Sequence, residues 1–347
     1  MASLNTWSKA LGAILIIITA TAGYYALNSA QTERTVVVYT SVDQVFSEPL
    51  LKSFEEQTGI RVLAVYDVEA TKTTGLVNRL ISEKDKPLCD VWWSGEFVQT
   101  ILLEKEGVLS PYQSPSAEDI PPQYIGEDWT WVGFGGRARV LLVNTDHVSP
   151  TQVPKSLLEL TKTGVPANKI GIAYPMFGTT ATHAATLYAQ LGAEETKAYF
   201  TQLRDAGVSV VDGNSVVRDL VADGQLYMGM TDTDDAIGAV VEGAHVEMVF
   251  LDQQEGGMGT LIIPNTVALI HDAPHPTEAK MFIDFLLSSR VESDLVESGW
   301  LQIPIRPVAA EQTYFDAKDV RGIDVEYEKV YAHLETVKKD LAEIFVR

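Results

Sequence analysis

From residue 35 onward the apolar positions switch repeatedly between two periods. Residues 36–41 (VVVYTS) form a compact apolar run of strand type, residues 44–58 place apolar side chains at helical spacing, Gly59 stops that helix, and residues 60–65 read as a second strand. The alternation continues. Residues 74–84 carry Leu76, Val77, Leu80 and Ile81 on one helical face, residues 90–93 are a short apolar strand, and residues 98–106 are a helix closed by Gly107. Strands that alternate with amphipathic helices predict an α/β fold with a largely parallel sheet, whose binding site lies at the carboxyl ends of its strands.

Between residues 129 and 146 the chain runs through Gly133-Phe134-Gly135-Gly136 into a strand at 140–144, and the same pattern then restarts. Residues 170–173 and 208–211 read as strands, with helices over 182–191, 194–206, 216–222 and 234–241. The strands 261–263 and 265–270 carry the chain back, and the helix 277–287 packs on the first unit. The expected architecture is two discontinuous α/β lobes joined by a hinge of two crossings at 139–144 and 260–265, with a ligand cleft between them. Lobe 1 comprises residues 35–139 plus 264–347 with the C-terminal helices, and lobe 2 residues 140–263.

Composition adds location and excludes partners. Residues 10–22 are apolar and small, with Lys9 the only charge before Glu33, so residues 1–30 read as an export segment. It is either a signal peptide, cut after Ala22 or Ala30, or a retained inner-membrane anchor, since extending the run to Leu27 nearly reaches a bilayer span. The remainder is expected in the periplasm. A formal net charge of −21 opposes nucleic acid. The single cysteine, Cys89, beside Val91-Trp92-Trp93, reads as a buried small hydrophobe. Trp92, Trp93, Trp129 and Trp131 read as core. No nucleophile elbow, zinc-protease helix, Walker loop or dinucleotide fingerprint occurs, so no enzyme and no catalytic cofactor is expected.

Candidate chemistry clusters in loops that follow strands. Gly178, Thr179, Thr180, Thr182 and His183 open a helix, where free amides and hydroxyls suit an oxyanion, although one threonine used as a cap would account for part of the pattern. Ser41, Ser94, Thr71, Lys72 and Asn214 stand at comparable places, as further anion or ligand contacts. Asp232, Asp234 and Asp235 put three carboxylates within four residues. Such a cluster holds a cation, is balanced by basic side chains, or serves the start of a helix. Asp43 and Glu96 would complete a metal shell from the other lobe. Arg137 and Arg139 either balance these carboxylates or face solvent.

The stretches VVVYTSVDQVFSEPLLKSFEEQTGIRV, DVWWSGE, LLVNTD, GNSVVRDLVADGQLYMGMTDTDDA and PNTVALIHDAPHPTEAKMFIDFLLSSRVE resemble, in order and spacing, the substrate-binding proteins of bacterial ABC importers, in particular their ferric-iron-binding branch. The resemblance implies a monomeric two-lobed protein that closes on a small charged ligand and presents it to a membrane permease, with iron and an accompanying oxyanion as the favoured cargo. It departs from that branch at the ligands. Asp43 stands where relatives carry a histidine, and Asp232-Thr233-Asp234-Asp235 where they carry paired tyrosines. A phosphorylated sugar or a phosphonate is the alternative cargo, and a secreted metal-dependent hydrolase the alternative class.

Overall fold

The computed structural model describes residues 34–67, 74–298, 303–308, 314–315 and 319–346. The export segment and the pair Thr71 and Lys72 lie outside the described residues. Among the described residues, no helix is long and apolar enough to cross a membrane.

The opening units form as their periodicity predicts. Strand β1 (Thr35–Thr40) pairs in parallel with β2 (Arg61–Tyr66) and β3 (Val91–Ser94). Helix α1 (Gln44–Thr58) buries Leu50, Leu51 and Phe54 against this sheet and ends on Gly59, whose φ of 68° is a left-handed conformation that glycine adopts without steric cost. Phe54 meets Phe282 edge-on at 5.1 Å, and Trp92 and Trp93 are fully buried, as is the unpaired Cys89. Helices α2 (Thr74–Ser82) and α3 (Val98–Lys105) complete the first layer.

Two long antiparallel strands link the lobes. In chain order after the short β4 (Leu109–Ser110) come β5 (Val132–Asn144), β6 (Ile170–Ala173), β7 (Ser209–Val211), β8 (Met228–Asp232), β9 (Val246–Val249) and β10 (Ile262–Ile270). The strand path is β2-β1-β3-β10-β5-β8-β6-β7. The first half of β5 pairs with β10 and its second half with β8 and β9. One strand thus serves both half-sheets, and the glycine-rich passage expected to precede a strand lies inside it. The return is likewise a single strand, with its register shifted between Pro264 and Asn265.

Second-lobe helices are α4 (Gly178–Leu191), α5 (Ala193–Ala206), α6 (Asn214–Ala222) and α7 (Thr233–Val241), followed by α8 (Pro276–Leu286), α9 (Ser289–Glu297) and α10 (Tyr327–Ile344). Helix α4 starts four residues earlier than the apolar pattern indicates, because its first turn is made of glycine and threonines rather than apolar residues. Helix α10 buries Val330, Leu334, Val337 and Leu341. It packs on α4 and α5 and also touches α3, whereas the sequence reading had grouped it with the first lobe. Periodicity identifies a buried face but not the surface that covers it.

Candidate functional site

The candidate groups come from strand ends and helix starts of both lobes. In the first lobe the Ser41 and Ser94 hydroxyls lie 3.3 Å apart, and the Gly95 amide donates to Ser41 Oγ at 3.1 Å. Glu96 is buried and turned onto its own helix: the amides of Val98 and Gln99 donate to its carboxylate at 2.6 and 2.9 Å. Burial raises its pKa, with those amides and Arg137 acting the other way. Glu96 therefore closes the start of α3, with each of its oxygens accepting one amide. Asp43 precedes α1, its side chain exposed.

In the second lobe four elements meet at one carboxylate. Arg139 of β5 donates to Asp232 Oδ1 at 2.8 Å, and the two side chains are almost wholly buried. Thr179 of α4 donates to Asp232 Oδ2 at 2.6 Å, and Asn214 of α6 donates to Thr179 Oγ1 at 2.8 Å and to Asp232 Oδ2 at 3.1 Å. Thr180 donates to Asn214 Oδ1 at 3.1 Å. Burial alone would raise the Asp232 carboxyl, but Arg139, Arg137 and these donors hold it below the usual carboxylate range.

The acidic loop is balanced by basic side chains. Besides the Arg139–Asp232 pair, Arg137 donates to Asp234 Oδ2 at 2.9 Å and to the Gly95 carbonyl at 2.8 Å, so its guanidinium joins the lobes. A Cβ on residue 95 would stand 3.0 Å from that guanidinium. Desolvation opposes the Arg137 cation, but Asp234, Asp232 and Asp235 outweigh it and keep it charged. Asp235 accepts from Thr231 at 2.9 Å, and burial, followed by its two acidic neighbours, pushes its pKa up to about 7. One oxygen from each of the three aspartates lies within 4.8 Å of the others, close enough for shared metal ligation. A cation there would meet two guanidiniums already in place.

Expected capping roles change in detail. Asp232 precedes α7 without capping it, since its side chain is committed to Arg139 and Thr179. At α4 the preceding residue is Phe177, which has no capping side chain, and Gly178 enters the helix at φ 53°, a left-handed backbone again suited to glycine. The first amides of α4 therefore have no intrahelical acceptor and no side-chain cap. Thr182 bonds back to the Gly178 carbonyl at 3.3 Å. Arg218 pairs with Asp219. His183 lies away from this turn, against a separate small cavity lined by Arg139, Met230 and Met258, and burial lowers its pKa to about 3, so it is neutral.

The starts of α3 and α4 face each other across a narrow interlobe pocket of about 20 Å³, lined by Glu96, Gln99, Phe177, Gly178 and Thr182, with Leu334 and Lys338 of α10. Lys338 did not emerge from the sequence. Its only signal is its position one turn after the buried Leu334.

This geometry has known counterparts. Residues 50–321 match the family of bacterial extracellular solute-binding proteins. The chain belongs to that family. Iron uptake protein A1 of Synechocystis sp. is 25% identical over 280 residues, 77% of this chain and 75% of the relative. A putative 2-aminoethylphosphonate-binding periplasmic protein of Salmonella typhi is 24% identical over 329 residues, 90% of this chain and 89% of the relative. The periplasmic binding protein AfuA from Actinobacillus pleuropneumoniae, solved with exogenous fructose-6-phosphate bound, superposes with a TM-score of 0.77 at 22% identity, covering 90% of this chain and 98% of its own. The two-lobed fold of periplasmic binding proteins and the relation to importer binding proteins, expected from the resemblance, are therefore shown.

Proposed function

We propose that this protein is the periplasmic solute-binding component of an ABC importer and that its cargo is a metal-free organic oxyanion, a phosphate ester or phosphonate. The observation that carries the choice of cargo is the pairing of the acidic loop with Arg137 and Arg139. With Asp235 pushed up to about 7, two carboxylates face two guanidiniums, and little negative charge is left to attract a ferric ion. The uncapped amides of α4 face the interlobe cavity and favour an anion. Relatives named for 2-aminoethylphosphonate and solved with fructose-6-phosphate support this class, and several relatives named for iron uptake or ferric-iron binding support the alternative.

Binding closes the lobes about β5 and β10, the solute bridging both, and the closed form is presented to the permease without chemistry on the cargo. The test is calorimetry on metal-stripped protein with fructose 6-phosphate, 2-aminoethylphosphonate, inorganic phosphate and ferric citrate, paired with small-angle scattering. Binding of an organic oxyanion with a fall in radius of gyration is the expected result. Binding of ferric citrate alone, or an oxyanion that binds only with iron, overturns the choice of cargo.

A further inference from the structure

Helix α10 closes the interlobe cavity on its third side and carries a lysine into it. Lys338 lies one turn after Leu334, and three-quarters of its side chain is withdrawn from solvent. Its one hydrogen-bond partner among the described residues is Glu335, at 3.3 Å on the same helix and almost fully exposed, a solvent-screened pair that holds the ammonium weakly. Opposite stand Glu96, whose oxygens are taken by the Val98 and Gln99 amides, and the open start of α4. Met176, Phe177 and Leu334 add apolar side chains to the wall, beside the polar Gln99 and Thr182. Among the described residues, Lys338 is the one cation that lines this pocket.

The start of α10 is held on the first lobe while its body packs on the second. Tyr327 stacks on Phe97 with centroids 3.9 Å apart, and Lys105 pairs with Glu328 at 3.1 Å. The position of Lys338 is therefore tied to the closure of the lobes.

We infer that Lys338 is a ligand-binding residue that supplies the counter-charge for the oxyanion at α4 and makes the site prefer a dianion to a monoanion. The inference rests on the oxyanion reading above. The competing role, balancing the buried Glu96 charge, predicts an effect on stability alone.

Calorimetry of Lys338→Met and Lys338→Arg with fructose 6-phosphate and 2-aminoethylphosphonate at pH 5 and pH 8 separates the two. These pH values bracket the second ionisation of the phosphoryl group, at about pH 6. Glu96 from α3 and Glu335 on α10 are the titratable groups facing Lys338. Asp235 titrates alike in parent and variants, and the thermal midpoint of the ligand-free proteins at each pH reports any change at Glu96, whose carboxyl Lys338 pulls down. The parent should bind more tightly at pH 8, Lys338→Met should lose about ten-fold there and little at pH 5, as expected for one charge-assisted contact, and Lys338→Arg should recover most of the loss. Parent-like affinity of Lys338→Met at both pH values, with a lowered thermal midpoint, overturns this inference alone. A parent that binds no oxyanion overturns the cargo reading and the role of Lys338 with it.

Discussion

Helices α3 and α4 begin on opposite sides of one cavity, and the chain treats the two starts differently. At α3 the carboxylate of Glu96 accepts the first amides, so the positive end of that helix is satisfied internally. At α4 the preceding residue is Phe177, about two-thirds exposed and without an acceptor, and Thr179 spends its hydroxyl on Asp232 instead of on its own helix. A helix start that caps itself is structural, and one left open beside a cavity is available to a ligand. In the acidic loop, likewise, Asp234 and Asp232 are paired with Arg137 and Arg139.

Removing the cap from the closed start should have the largest effect. Glu96→Ala leaves two buried amides without an acceptor and should cost about 3 kcal/mol of stability, measured by urea unfolding. A loss below about 1 kcal/mol would mean that Glu96 does not carry the start of α3. Capping the open start is the converse experiment. Phe177→Asp places a carboxylate where α4 has none, so it should stabilise the protein by about 1 kcal/mol while lowering fructose 6-phosphate affinity at least ten-fold. Undiminished affinity in that variant would show that the anion does not sit at α4.

A pH-dependent effect is expected at α7, where Asp235 is buried next to two carboxylates. Its pKa is raised from the usual 3.8 to about 7, so the folded state holds a proton that the unfolded chain releases. The associated stability is fully present below about pH 4 and is lost as pH rises towards 7. Asp235→Asn should flatten stability against pH over that window and make the protein more stable than the parent at pH 8, by up to a few kcal/mol. An unchanged pH profile would show that Asp235 is ionised throughout.

Much of this was legible in the chain because it depends on local pattern. The strand of 36–41, the helix closed by Gly59, the buried Trp92 and Trp93, and the restart of the α/β pattern after the first crossing all follow from apolar period and turn residues. The placement of the candidate residues at strand ends and helix starts was legible too, since turn residues mark those junctions. Ser41, Ser94, Thr179, Asn214 and Asp232 all fall there. What those residues do in detail was not legible. Glu96 was a candidate cation ligand until its carboxylate proved to face its own helix, and His183 a candidate anion contact until it proved neutral and turned to another cavity.

Sequence by itself determined the two-lobed α/β architecture and its family, because periodicity and the order of segments are properties of the chain. Tertiary structure alone decided which charges meet. Arg139 finds Asp232 across 93 residues and Arg137 finds Asp234 across 97, and Lys338 enters the cavity from a helix whose packing surface the sequence leaves open. Coulomb energy depends on separation in space and on burial, and neither can be read from spacing along the chain.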